Sequence, residues 1–228
     1  ATGLARAFLA LLAIPAYGVA HSAAPRPHYA EQVALLLFST TGMMLLAGAN
    51  DLLTLFIALE LAGLPLVALT ALGTTAREPA GAALKLFLIG ALASALMLFG
   101  ISLVYGAVGD LSFAAIARAS GSDRLSGPLF LTGTLLLLGG IAFKLAAAPL
   151  HLWAPDVYQR GSLPAAAWIA AGSKVAGFAA LIRLLWLTGD AFHPHATPAL
   201  ACFGIASLVI GNLAALAQRD PRRMLAYS

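Results

Sequence analysis

Four ionisable side chains in this sequence stand inside long apolar runs. They are Glu60 in LFIALELAGLPL, Lys85 in AALKLF, Lys144 in IAFKLAAAPL and Lys174 in AAGSKVAGF. These are all three lysines of the chain and one of its nine acids; every arginine lies in or beside a connection, Arg183 within the last turns of its run. The sorting has chemical meaning. Arginine stays protonated in essentially every protein setting, whereas a buried lysine changes its proton affinity readily. Burial favours neutral amines and carboxyls, and an amine beside a carboxylate favours the charged form of both. These opposed effects leave groups able to gain or lose a proton, and a series of such groups is a proton relay. A charge at the middle of a membrane helix costs roughly 2.5–3.5 kcal/mol, so four of them call for a purpose.

The elements that must hold these residues are membrane helices. Of the 228 residues, 61% are hydrophobic and only 10% charged, against about 25% charged in soluble domains. The mean hydropathy is +0.92. The runs are continuously apolar and long enough to cross a bilayer core of roughly 30 Å, without the two-residue alternation of a barrel strand. The fold class expected is all-α: a single membrane domain over residues 1–228, a polytopic bundle of about seven spans at 4–20, 31–48, 51–71, 81–106, 127–148, 163–187 and 198–217. Residues 4–20 also fit a signal peptide, a reading set aside because polytopic proteins begin the same way. Residues 222–228 read as the opening of a further helix. Crossing at each span puts Arg26, Arg77, Arg160, Arg219, Arg222 and Arg223 on one face and Arg6, Arg118, Arg124 and Arg183 on the other. That bias places the first face in the cytoplasm.

One span is expected to be irregular. In FKLAAAPLHLWAPDVYQRG, Pro149 removes a backbone donor and disfavours helical geometry at Ala148. Either the helix breaks within the membrane a turn past Lys144, where water reaches the amine, or Pro149 ends it at the interface and His151, Trp153 and Tyr158 lie at that level. Other readings stay open beside the relay: Lys85 snorkelling to the interface, Glu60 in a structural ion pair with a lysine, and the dense small residues Gly90, Ala91, Ala93, Ser94, Ala95, Gly172, Ser173 and Gly177 as helix-packing surfaces. Nothing points to a cofactor or metal: no glycine-rich phosphate loop between strand and helix, no cysteine cluster, and only scattered histidines. Cys202 is the sole cysteine, and the net charge of +4 reflects loop arginines rather than an affinity for nucleic acid.

Several stretches resemble the family of NADH-quinone oxidoreductase subunit N, the antiporter-like membrane subunit of respiratory complex I. They are DLLTLFIALELAGLPLVAL, AALKLFLIGALASALMLFGISLVYGAVGDLSF, FKLAAAPLHLWAPDVYQ, GSKVAGFAALIR and GNLAALAQRDPRRMLAYS, all from residue 51 on, and the likeness as a whole runs from about residue 31 to the end. PDVY after the HLW segment favours subunit N over its sister subunits. The resemblance implies a proton-translocating subunit with no redox centre. NADH, FMN, iron–sulfur clusters and quinone would belong to other subunits; its partners would be the other membrane subunits, the lipid bilayer of a bacterial inner membrane and the transported protons. By position, Glu60 matches the family's acid, Lys85 the lysine of the following helix, Lys144 the central lysine of the broken helix and Lys174 the connecting lysine. The segment Gln159–Pro164 departs from the family by keeping only the second of two prolines. The resemblance further implies a fragment lacking the first helices and the second inverted half, and so a half-channel. Two rivals remain: a subunit of a multi-subunit cation/proton antiporter, and a structural membrane module.

Overall fold

A computed structural model describes Gly3, residues 28–72 and residues 77–227, with Leu163 and Pro164 described by backbone alone. The span expected at 4–20, together with Arg6 and Arg26, lies outside the described residues.

Six helical segments among the described residues are long and apolar enough to cross a membrane. They are α1 (Tyr29–Gly48), α2 (Leu52–Ala71), α3 (Arg77–Val108), α5 (Pro128–Leu145), the span Ala165–Ala191, and α9 (His193–Leu216). Each corresponds to one expected from the sequence. Between them lie short helices: α4 (Phe113–Arg118), α6 (Ala154–Arg160) and, closing the described chain, α10 (Pro221–Tyr227). The span Ala165–Ala191 is composite, with α7 (Leu163–Trp168), a π turn over Ile169–Ser173 and α8 (Lys174–Thr188). The only bridge between extended residues described is isolated, at Asp51 and Ser112.

The chain alternates between two faces, and the contacts at each face show it. On one, Leu52 N–H donates to Leu111 O and Phe113 N–H to Asn50 O, at 3.0 and 2.9 Å. Arg183 of α8 donates to Ala49 O at 2.6 Å and to the Asn50 side chain, and His195 lies 3.2 Å from Leu125 O. On the other face Ser162 donates to Leu69 O at 3.1 Å, and α6 meets α10. The described arginines divide between these faces as the crossing pattern predicts.

Apolar side chains form both the core and the outside. Met43, Leu52, Leu55, Met97, Phe130 and Trp168 are fully enclosed, while Leu37, Ile57, Leu92, Ile182 and Leu208 are largely exposed. Such an apolar exterior suits lipid rather than water. Small residues then let the helices approach closely. A Cβ added at Gly42 of α1 would lie 2.3 Å from Ala62 N of α2, and one added at Gly133 of α5 would lie 2.8 Å from Gly100 O of α3.

Candidate functional site

The break after the fourth described span comes earlier than Pro149. Helix α5 ends at Leu145, and Ala146 takes a left-handed conformation with φ 55°. The turn closes as helix C-termini commonly do: Ala146 N–H donates to Phe143 O and Ala147 N–H to Ala142 O, both at 2.9 Å. Alanine in this conformation costs about 1–2 kcal/mol that glycine would not. The chain resumes as a helix only at Ala154. The break is therefore real, and His151 and Trp153 are enclosed at 7% and 3% exposure. Both side chains pack inside the protein against the break, and Trp153 lies against Phe143 with ring centroids 5.6 Å apart.

Backbone groups freed inside a membrane must find partners within the protein. Two long-range side chains supply them. Lys174 Nζ donates to Leu145 O at 2.6 Å, and Ser207 Oγ of α9 accepts from Ala148 N–H at 2.9 Å. Lys174 also lies 5.3 Å from the centroid of the Trp153 ring, an attractive cation–π placement. Lys174 begins α8 directly after the π turn, a form common at functional sites. Its neighbour Gly177 allows the approach, because a Cβ there would lie 2.8 Å from the Leu145 side chain.

Lys144, on the last turn of α5, is 6% exposed. It borders a cavity whose volume open to water centres is ≈ 90 Å³, shared with Glu60, Ser94, Ser173, Trp153 and Phe143. One water centre needs only about 10–15 Å³ of such volume, so the cavity has room for several. The ammonium lies over α2 beside Gly63: a Cβ built there would be 3.6 Å from Lys144 Nζ. Gly63 follows Glu60 by three residues, so the two share a helix face. Glu60 Oε1 accepts a hydrogen bond from Ser94 Oγ of α3.

The structure thus gathers Glu60, Lys144 and Lys174 around the break. It does not bring Lys85 there. Lys85 Nζ forms an ion pair of 2.6 Å with Asp156 Oδ2 on α6, whose other oxygen accepts from Arg223 Nη1 of α10 at 2.9 Å. Arg223 also donates to Gln159 Oε1 at 2.9 Å, and Gln159 Nε2 donates to Asp220 Oδ2 at 3.1 Å. Backbone N–H groups of Arg223 and Arg222 donate to Asp220 and hold its carboxyl below the usual value for aspartate, against a partial loss of hydration. Among the described residues the ion pairs are Lys85–Asp156, Arg223–Asp156 and His28–Glu31. Glu60, expected to pair with a lysine, is instead bonded to a serine and shares its cavity with Lys144.

Sequence reasoning missed Ser94, Asp156 and Arg223. In the sequence Ser94 reads as one of a packing run, and Asp156 carries no assigned role. The one available signal for Asp156 was its place in PDVY, directly after the irregular segment. Among the described residues no group of three or more His, Cys, Asp or Glu side chains is placed to hold a metal.

Residues 49–228 match the family described as NADH:quinone oxidoreductase/Mrp antiporter, transmembrane. NADH-quinone oxidoreductase subunit N of Alkalilimnicola ehrlichii is 42% identical over 198 residues, covering 87% of this chain and 41% of that protein. The subunit N of Halorhodospira halophila is 44% identical over 195 residues, covering 85% of this chain and 40% of that one. Among solved structures, a chain of respiratory complex I from Thermus thermophilus with bound aureothin superposes with a TM-score of 0.82 at 39% identity, over 98% of this chain and 48% of that chain. A chain of the Mrp complex from Dietzia sp. gives 0.81 at 25% identity, over 98% and 41%. The sequence spans about two fifths of the length of the curated relatives it matches.

Proposed function

We propose, since the chain belongs to the NADH:quinone oxidoreductase/Mrp antiporter transmembrane family, that it forms a proton half-channel as part of subunit N of a proton-pumping NADH:quinone oxidoreductase. The observation that carries this reading is the enclosed Lys144 ammonium at the end of a broken helix, facing a cavity it shares with Glu60. A lysine there can exchange its proton with water held in the cavity, and its charge responds to the carboxyl across that space.

Each part then has a task. Lys144 is the central carrier. Glu60, held by Ser94, sets the field that Lys144 feels. Lys174 lies on the far side of the break, bonded to the carbonyl of the residue next to Lys144, and passes protons onward. Redox chemistry with NADH, FMN, iron–sulfur clusters and quinone belongs to other subunits, and coupling reaches this one through charge or helix movement. The neighbours are the other membrane subunits of the complex, in a bacterial plasma membrane, with the face carrying Arg77, Arg160 and Arg223 towards the cytoplasm.

A second reading has a specific observation behind it. The likeness to the Mrp complex chain supports a subunit of a cation/proton antiporter. The higher identity to subunit N proteins favours the first. Either way the lysines carry protons. In the assembled complex, Lys144→Met is expected to abolish quinone-linked proton uptake measured in membrane vesicles with a pH dye and to slow quinone reduction with it. Uptake at the unsubstituted rate would end the proposal.

A further inference from the structure

Among the described residues, Asp156 is an acid that the proton path above does not use and that nevertheless holds two cations. Its side chain is 17% exposed, so its charge is worth more to its partners than a surface charge would be. Its two oxygens are divided: Oδ2 takes Lys85 of α3 at 2.6 Å and Oδ1 takes Arg223 of α10 at 2.9 Å. Asp156 sits on α6, the helix that follows the break, whereas Lys85 sits on the unbroken α3. This ion pair therefore ties the α6 half of the broken span to the helix that carries Ser94.

The placement along α3 matters. Lys85 and Ser94 are nine positions apart in one continuous helix, which is about 13 Å along its axis. Ser94 is the residue that touches Glu60. A four-carbon stem does not span that separation, so the Lys85 ammonium stays at the level of Asp156 and not of Glu60. Lys85 is absent from the lining of the Lys144 cavity, although the next residue, Leu86, belongs to it. The result is a sorting of charges: two cations on one acid towards the Arg160 face, and Glu60 left opposite Lys144.

We infer that Asp156 is a positioning residue for proton transfer: by clamping Lys85 it fixes α6, the helix after the break, against α3, whose Ser94 holds the Glu60 carboxyl that Lys144 faces across the cavity. This rests on the half-channel reading. Arg223, bonded also to Gln159, supports the arrangement from α10 and is not itself in the path.

The test is a double-mutant cycle in the assembled complex, with proton uptake by vesicles normalised to the amount of complex on a native gel. Asp156→Asn should slow uptake by roughly threefold or more, a size typical of coupling between contacting groups. Asp156→Glu should restore most of it, since the carboxylate returns. In a Lys85→Met background, Asp156→Asn should then have little further effect. If Asp156→Asn is silent, or if its effect persists in Lys85→Met and vanishes in Arg223→Met, Asp156 only fastens α10 and the inference is wrong. Lys144→Met, run alongside, separates the two claims. Uptake surviving there removes the half-channel reading itself, while uptake lost there but indifferent to Asp156→Asn removes only the role of Asp156.

Discussion

Gly42 offers the sharpest test of how the site is built. A methyl group placed on it would lie 2.3 Å from Ala62 N, 2.6 Å from Leu61 C and 2.7 Å from Ala62 Cα, all backbone atoms of α2. No side chain can turn aside, so Gly42→Ala must separate α1 from α2 by about 1 Å before contacts become tolerable. Overpacking of this kind costs about 1–3 kcal/mol. The separation also strains the bond from Ser39 Oγ to Ala62 O, which is 3.0 Å long and worth about 1 kcal/mol. The total of about 2–4 kcal/mol should lower the thermal midpoint by roughly 5–12 °C, read by scanning fluorimetry on the purified complex. Because Glu60 lies two residues before Ala62, proton uptake should fall as well. Gly139→Ala is the control. The same substitution in α5 meets nothing within 4 Å, and it should leave uptake unchanged and raise helix stability by up to about 1 kcal/mol. If both variants melt alike and pump alike, the close approach of α1 and α2 is wrong.

Two further outcomes are expected. Ser94→Ala removes the donor to Glu60, a bond of a type worth about 1.5–3 kcal/mol when the acceptor is charged; proton uptake should slow several-fold, and Ser94→Thr should recover it. Arg183→Gln removes the bonds to Ala49 O and Asn50, and should lower the thermal midpoint while leaving uptake per assembled complex unchanged, which a melting scan and the vesicle assay would check together.

The parts of the molecule that were legible in the sequence are those governed by composition. Continuous apolar runs fixed the six described spans, because only length and hydropathy decide whether a segment crosses lipid. Lys144 and Lys174 were legible as unusual for the same reason. The position of the break was harder. Pro149 announces a disruption, but the helix stops at Ala146, where the signal is a left-handed backbone that alanine rarely adopts. The π turn before Lys174 has no local marker at all. The partners were least visible. Lys85 and Asp156 are separated by 71 residues, and Glu60 and Ser94 by 34, so which acid takes which donor depends on how α2, α3 and α6 are rotated.

The two ends of the bundle are fastened by different means. At the Ser112 end, main-chain bonds between Asn50–Leu52 and Leu111–Phe113 do the holding together with Arg183, whose acceptors, Ala49 O and the Asn50 side chain, are neutral. At the Gln159 end, Lys85, Arg223 and Asp220 do it through charged side chains. Electrolyte weakens ion pairs whose partner reaches solvent, as Lys85 does at 41% exposure, and leaves hydrogen bonds to neutral acceptors nearly untouched. Raising ionic strength should therefore loosen the bundle lopsidedly, like a fan that opens from its handle, with the spread at the end where Asp156 is clasped.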